Sequence, residues 1–198
     1  MAPTIQGFAT GFSLILAIGA QNAFILRQGL RGEHVFILCL TCAVSDALLI
    51  AAGVIGLDAV ISAAPWIDPV FRYGGAAFLV AYGARAAQAA WRGGAALAPA
   101  QDRATPLWPA LATCLALTWL NPHVYLDTVL LVGSLAAQSP DPFRFGLGAV
   151  LASFVFFFGL GYGARILRPV FTNPQAWRAL EALVAALMWA IAASLIFG

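Results

Sequence analysis

Long apolar stretches separated by short polar connections occupy almost the whole chain. A helix needs about 20 apolar residues to cross about 30 Å of hydrocarbon. Six stretches approach or exceed that length, at residues 5–26, 34–56, 66–84, 107–137, 145–164 and 179–197. We therefore predict an all-α integral membrane protein with six transmembrane helices. The longest polar connection, roughly residues 92–106, is too short for a core of its own, so residues 1–198 are predicted to form one transmembrane domain.

Two short polar sequences interrupt these stretches, Gly-Ala-Gln-Asn at residues 19–22 and Asn-Pro-His at residues 121–123. Proline inside a helix removes an amide donor and clashes with the preceding turn. In hydrocarbon, broken helices persist only where protein or a water-filled cavity surrounds the break. We therefore predict that the first and fourth helices are broken, at Gly19 and Pro122, and that a transport pathway lies beside the breaks.

Composition agrees with a membrane protein, because 62% of the residues are hydrophobic and 9% are charged, with a mean hydropathy of +0.90. The net charge is only +2, and no basic patch with interleaved aromatic residues is present, so we expect no nucleic-acid partner. The first stretch lacks a basic start and continues past Ala20. We expect it to remain in the mature protein rather than to act as a signal peptide.

The basic residues predict an orientation. All ten are arginines, and most lie in or beside the connections after the first, third and fifth spans: Arg27, Arg31, Arg85, Arg92, Arg103, Arg165, Arg168 and Arg178. Only Arg72 and Arg144 fall on the opposite face. Because basic residues favour the cytoplasmic side, both termini are predicted to lie outside.

The two halves of the chain show a weak internal repeat. Residues 16–22 and 115–121 resemble each other without a gap, at a displacement of about 99 residues. Each half, about 1–103 and 104–198, would then contain three spans. An odd number of spans per repeat makes the halves opposite in orientation, as in inverted-repeat transporters. This hypothesis depends mainly on the paired Asn22 and Asn121 and on the paired breaks.

Two acidic residues lie inside predicted spans, Asp46 in the second and Asp127 in the fourth. A carboxylate near a helix centre costs roughly 2.5 to 3.5 kcal/mol on insertion scales and usually has a function. Both could face a shared cavity. The alternative is that each ties helices together through hydrogen bonds, or that Asp127 reaches the outer interface. The other six acids lie near predicted span ends or links, where we expect them to be solvated.

Histidine and cysteine residues add less. His123 lies beside the second break and could accept a proton or contact substrate, or could simply donate to a freed carbonyl. Cys39 and Cys42 are one helical turn apart and Cys114 is isolated in sequence, a pattern that favours helix packing over a disulfide framework or a metal site.

Several motifs together resemble one family, the LysE-type basic amino acid exporters of bacteria, and within it the arginine exporters. The motifs are IGAQNAF at 18–24, RQG at 27–29, CAVSD at 42–46, LTWLNPHVYLD at 117–127 and GSL at 133–135. The resemblance covers nearly the whole chain. It implies export of L-arginine, with lysine or canavanine as further substrates, across the bacterial cytoplasmic membrane. Members usually have proline at the position of Ala20, so the first break is expected to be gentler here.

The residues also predict a mechanism without a cofactor. Asp46 and Asp127 would accept the cationic groups of the substrate. Amides freed at Gln21 to Ala23 and beside Asn121 would meet its carboxylate at half-helix N-termini, while Asn22 and Asn121 satisfy the unwound backbone and line the site. Moving one positive charge outward against the membrane potential costs about 2.3 kcal/mol per 100 mV. Exchange for one entering proton is electroneutral, so we predict proton antiport.

Other hypotheses stay open at this stage. The cargo could be a neutral amino acid or another small cation. A hypothesis from a different class is an intramembrane enzyme that uses Asp46, His123 and Asp127 as acid-base groups, although the chain lacks a serine-base pair, a metal-ligand cluster and a phosphate-binding sequence. Small-residue surfaces could pack within one chain or between two, so a homo-oligomer is also possible.

Overall fold

The computed structural model describes residues 2–16, 19–56, 67–92 and 106–197, with only the backbone for 67–71. The helices are α1 Pro3–Leu16, α2 Ala20–Arg31, α3 Val35–Ile55, α4 Ile67–Trp91, α5 Leu107–Trp119, α6 Pro122–Ala137, α7 Pro142–Gly163 and α8 Pro174–Phe197. Two short 3-10 segments, Ala164–Leu167 and Val170–Thr172, connect α7 to α8. Throughout the described ranges the regular structure is helical, which confirms the all-α prediction.

By helix length and composition, the described residues contain three membrane crossings, or up to five if each bent pair of helices counts as one span. Helices α3 and α8 qualify directly, as does α7 with its 3-10 extension to Leu167. The pairs α1 with α2 and α5 with α6 pass the same test when each is taken together, with bends of 81° and 59° respectively, as expected of a broken span or a re-entrant loop. Both bends lie at the interruptions that the sequence predicts.

The third predicted span corresponds to α4, which extends beyond residue 84 to Trp91. Its 25 residues are long enough to cross a bilayer. It contains Arg72 and Arg85, however, and its apolar content alone does not qualify it as a span. A crossing by α4, and with it the total of six, therefore stays a prediction.

Apolar side chains cover the outside of the helix bundle. On α3, for example, Leu48 is 58% exposed whereas Asp46 is 3% exposed, so the helix turns its apolar side outward and its acid inward. Phe36 and Val44 on the same helix are also exposed. In water such surfaces would be unfavourable, but in lipid they are the expected solvent-facing side. The protein is a multi-pass membrane protein.

Small residues bring α1 and α7 into close contact. A Cβ on Gly7 would overlap the backbone of Phe145, and one on Gly11 would lie 2.9 Å from the Cα of Ala149. Gly148 on α7 approaches the backbone of Thr4 in the same way. Because lipid provides no hydrophobic drive between helices, such close backbone packing is a main source of association in membranes.

Arginine side chains tie the C-terminal ends of three helices to their neighbours. The last carbonyls of a helix lack partners within it and favour cationic donors. The bonds run from Arg72 Nε to the Leu195 carbonyl, from Arg168 Nε to the Leu30 carbonyl at 2.9 Å, and from Arg178 Nε to the Ala90 carbonyl at 3.0 Å. They fix the ends of α8, α2 and α4.

Candidate functional site

A cavity of about 220 Å³ lies where both broken spans meet α3, α7 and α8. Among the residues that line it are seven that the sequence predicts as site or break residues: Gly19, Gln21, Asn22, Asp46, Asn121, His123 and Asp127. Pro122 is not a lining residue and instead begins α6. Phe157 on α7, one turn after Ser153, and Ile191 on α8 also line the cavity.

At the first break, Gly19 adopts an extended conformation with φ −109° and ψ 172°, and α2 begins at Ala20. The Asn22 side chain donates a 2.7 Å hydrogen bond to the carbonyl of Ile15 on α1. This bond supplies one partner for the backbone that the break releases. Among the described residues, no side chain caps the start of α2.

Gln21, in the first turn of α2, is a further polar group of the cavity. Its side chain is 7% exposed. Its Nε2 makes no hydrogen bond of normal geometry within the described parts of the chain, and the side chain lies close enough to the Cys42 thiol to interact with it. Because a thiol is a weak acceptor, the amide can still donate to a stronger one. Since the first turn of a helix also carries partial positive charge, this end of the cavity favours an anionic group.

The second break is satisfied within the protein. Asn121 caps α6, because its Oδ1 accepts a 3.2 Å hydrogen bond from the amide of His123, and the Tyr125 hydroxyl donates to the Trp119 carbonyl at 2.8 Å. The amide beside Asn121 is therefore not free to bind a substrate carboxylate, contrary to the expectation from sequence. Of the two breaks, the first has the uncapped helix start.

Asp46 is buried on α3 and faces the cavity. The hydroxyl of Ser153 on α7 donates a 3.0 Å hydrogen bond to Asp46 Oδ2, and Ser153 is 0% exposed. The adjacent Ser45 accepts a 3.2 Å bond from the Trp119 indole. The sequence analysis did not identify Ser153 as a site residue. Its only signal in the sequence is that it is the single serine in the apolar stretch 145–164.

Asp127 also lines the cavity, but its surroundings differ. It is exposed, and it lies in a π-helical stretch, Leu126–Leu131, within α6. Short π-helical stretches inside α-helices are rare and frequently mark functional sites. The two acids of the cavity thus differ in access, with Asp46 enclosed and Asp127 open.

His123 connects the second break to α8, since its Nε2 lies 3.3 Å from the hydroxyl of Ser194. It is exposed and lines the cavity. This contact gives the side chain a packing partner, and both interpretations of His123, as a binding residue or as a local hydrogen-bonding group, are compatible with it.

The cysteines pair in a way that the sequence did not indicate. The Sγ atoms of Cys42 on α3 and Cys114 on α5 are 3.2 Å apart, so Cys114, which is isolated in sequence, contacts Cys42 where the two helices pack. Cys39 donates to the Phe157 carbonyl at 3.1 Å, and all three thiols are free and buried. In the described ranges no group of three or more His, Cys, Asp or Glu residues could hold a metal ion.

Glu181 contradicts the expectation that the acids outside the spans' centres are solvated. It is 0% exposed, and its Oε1 lies 2.8 Å from Nη2 of Arg27 on α2. By contrast Asp141, which caps α7 and pairs with Arg144, has a side chain that is 40% exposed. The sequence did not predict the burial of Glu181 because the residue lies near the start of the predicted span at 179. In the structure α8 begins five residues earlier, at Pro174, so Glu181 lies within the helix.

Three known proteins that this chain resembles are named as amino-acid transporters or exporters. A protein of Mycobacterium bovis, provisionally named an amino-acid transporter, is 49% identical over 181 residues, which cover 91% of this chain and 90% of the relative. A Mycobacterium tuberculosis protein with the same provisional naming is equally similar. The arginine exporter protein ArgO of Salmonella paratyphi A is 44% identical over 189 residues, which cover 94% of this chain and 90% of that protein. No solved structure matches the chain significantly.

The profile of the LysE type translocator family matches residues 12–198, which include both breaks and all the acids of the cavity. Proteins of this kind move a solute and do not convert it, so the protein is a transporter and the intramembrane enzyme hypothesis is wrong. The resemblance seen in the sequence motifs is confirmed. The chain belongs to the LysE type translocator family.

Proposed function

We propose that the protein exports basic amino acids, L-arginine above all, in exchange for protons. The observation that carries this proposal is the convergence of two broken helices and two acids, Asp46 and Asp127, on one cavity. Acids inside a membrane domain are costly and characteristically line ion or substrate pathways. Broken helices in transporters expose helix ends to the substrate at the same depth.

The cation pole of the site is formed by the two carboxylates. Asp46 is enclosed and held by Ser153, whereas Asp127 is accessible. A guanidinium group or an ammonium group forms strong charge-assisted hydrogen bonds with a carboxylate. In the proposed cycle both carboxylates meet cationic groups of the substrate, and Asp46 or Asp127 alternately holds a proton or one of these groups.

The anion pole is formed by the first break. The start of α2 and the side-chain amide of Gln21, which lies near the weakly accepting Cys42 thiol, are both at the cavity. Together they offer donors and a partial positive charge to the substrate α-carboxylate. An amino acid with a cationic side chain thus has a complementary group at each end of the cavity.

The size of the cavity supports a small solute. Its volume, about 220 Å³, is below the roughly 300–1,000 Å³ of typical pockets for drug-sized ligands. The name of the Salmonella relative supports arginine as that solute, and lysine or canavanine share its charge. The names of the mycobacterial relatives specify an amino acid but not which one, so a neutral amino acid stays the second candidate, beside another small cation.

Proton coupling follows from the charge of the substrate. Moving one positive charge out of a cell against 100 mV costs about 2.3 kcal/mol, so uncoupled transport would admit arginine. Exchange of one arginine for one proton moves no net charge and uses the pH gradient alone. We propose this stoichiometry, with Asp46 or Asp127 as the group that carries the proton.

The proposed architecture has six spans in two inverted repeats, about 1–103 and 104–198, in the bacterial cytoplasmic membrane. Support comes from the bends near Gly19 and at Asn121, and from the pairing of α3 with α7 and of α4 with α8. In a three-plus-three repeat these helices occupy equivalent positions of the two halves. The arginine distribution supports both termini outside. One chain or several could form the working unit.

Calorimetric titration of the detergent-purified protein tests the substrate assignment. L-arginine and lysine should bind, leucine should not, and Asp46→Asn should lose arginine binding while keeping the elution volume and unfolding temperature of the wild type. Binding of leucine with an affinity equal to that of arginine would favour the neutral amino acid exporter instead.

A further inference from the structure

A second charged cluster lies on α2 and α8, away from the cavity. It consists of Arg27 and Arg31 on α2, Glu181 and Trp177 on α8, and Tyr82 on α4. Arg27 Nη2 pairs with Glu181 Oε1 at 2.8 Å, the Arg27 guanidinium interacts with the Tyr82 side chain, and Arg31 lies 5.3 Å from the centre of the Trp177 ring.

The ion pair is buried but poorly matched. The Glu181 side chain is 0% exposed, and neither its Oε2 nor Arg27 Nε has a hydrogen-bond partner in the described parts of the chain. A two-pronged arginine-carboxylate pair would use both of these atoms. Burying a charge pair stabilises a protein only when the remaining donors and acceptors are also satisfied. A purely structural role therefore accounts poorly for this geometry.

The cluster lies along both helices that lead to the cavity. Arg27 follows the cavity residue Gln21 by six positions on α2, about 9 Å at 1.5 Å per residue. Glu181 precedes the cavity residue Ile191 by ten positions on α8, about 15 Å. In the proposed orientation α2 ends and α8 begins on the cytoplasmic side. The ion pair then lies between the cytoplasm and the cavity.

The chemistry of the pair matches the proposed substrate. Arg27 presents to Glu181 the same guanidinium group that free L-arginine carries at the end of its side chain. A free guanidinium that reaches Glu181 can replace Arg27 without leaving a buried carboxylate unpaired, and it can use the unoccupied Oε2. Arg31, which is close enough to Glu181 to interact electrostatically, supplies a positive charge for the substrate carboxylate.

We propose that Glu181 is a cytoplasmic-side entry site for the cationic substrate, and that Arg27 occupies it as a tethered placeholder when the inner side is closed. Arrival of a guanidinium displaces Arg27, separates α2 from α8 and opens the path to the cavity. This inference rests on the proposed function, because the exchange requires a cationic cargo. It assigns selection for cations to a group outside the cavity.

Inside-out membrane vesicles, which expose the cytoplasmic face, test the entry site through the concentration of labelled arginine that gives half-maximal transport. Glu181→Gln should raise this concentration about tenfold or more, the effect of losing one charge-assisted contact. Arg27→Gln, which removes the tethered competitor, should lower it below the wild-type value. Asp141→Asn, which changes the exposed pair with Arg144, is the matched control and should leave it unchanged.

Thermal unfolding of the purified variants gives a second readout. Arg27→Gln leaves Glu181 without its partner, so the unfolding temperature should fall without ligand, and L-arginine should raise it by more than it raises that of the wild type. A structural pair predicts the fall but no additional gain from arginine.

An unchanged half-saturation concentration in Glu181→Gln, with wild-type transport intact, would overturn the entry site. So would failure of arginine to give Arg27→Gln any additional stabilisation. Absence of arginine transport by the wild type would instead overturn the proposed function, and the entry site with it.

Discussion

The hydroxyl of Ser153 on α7 donates a 3.0 Å hydrogen bond to Oδ2 of Asp46 on α3, inside the buried part of the bundle. This bond fixes the orientation of the enclosed acid and ties together the helices that would be equivalent in the two proposed repeats. A charged acceptor with one positioned donor keeps its other oxygen available for a proton or a cation.

Removing this donor should impair transport without abolishing it. Ser153→Ala deletes one hydrogen bond to a buried acceptor, a loss of about 1–3 kcal/mol, so we expect a several-fold lower arginine efflux rate from reconstituted vesicles. Ser134→Ala, at an exposed serine whose hydroxyl donates to the carbonyl of Leu131 in its own helix, should transport like the wild type. Equal rates for the two variants would show that the Asp46 contact has no role.

The two acids of the cavity should both be required. Asp46→Asn and Asp127→Asn keep the shape of each side chain but remove its charge and its capacity to carry a proton. We expect Asp46→Asn to abolish arginine efflux and Asp127→Asn to reduce it strongly, with both proteins still present in the membrane. The control is Asp141→Asn, because asparagine also caps helices well and the exposed pair with Arg144 contributes little. Wild-type efflux by Asp46→Asn would contradict the assignment.

Gln21 should contribute to recognition of the substrate carboxylate. Gln21→Leu removes the amide donor at similar volume, so arginine should bind about tenfold more weakly. Agmatine, which has a guanidinium group but no carboxylate, should bind the variant and the wild type equally. Gln138→Leu, at an exposed position where the amide bonds Ser134, should change neither affinity. A parallel loss of agmatine and arginine binding in Gln21→Leu would argue against a carboxylate contact.

Adjacent glycines on α4 offer a matched test of packing at the second break. A Cβ on Gly75 would overlap the carbonyl oxygen of Leu120, just before Asn121, whereas one on Gly74 would meet nothing within 4 Å. Gly75→Ala should therefore destabilise the protein by about 1–3 kcal/mol through overpacking and lower its unfolding temperature. Gly74→Ala should be neutral or slightly stabilising, because alanine favours helix. A Gly75→Ala protein as stable as wild type would mean that α4 does not pack closely on the break.

Much of the fold could be predicted because each apolar stretch can be identified as a helix from its own residues, without knowing what it packs against. Stretch length and the polar interruptions near Gly19 and Asn121 were enough to locate the helices and both bends. The uncertain element is α4, where Arg72 and Arg85 lower the apolar content and leave length as the only indication of a crossing.

The contacts across helices could not be predicted, because they depend on how helices pack. The pairing of Cys42 with Cys114 and the hydrogen bond from Ser153 to Asp46 join positions more than seventy residues apart. The burial of Glu181 has the same origin, since only its position opposite Arg27 makes a charged residue tolerable there. A single sequence contains the residue types but not these distances.

Efflux of labelled L-arginine from proteoliposomes tests the central claim most directly. The lumen is loaded with arginine, lysine or leucine, and the outside medium is made more acidic than the lumen. Because an exchanger works in both directions, mixed insertion does not weaken the experiment. Arginine efflux should accelerate as the outside pH falls, should not respond to a membrane potential and should disappear in Asp46→Asn, while leucine is retained. No arginine movement, or efflux that ignores the pH gradient, would contradict proton-coupled export of a basic amino acid.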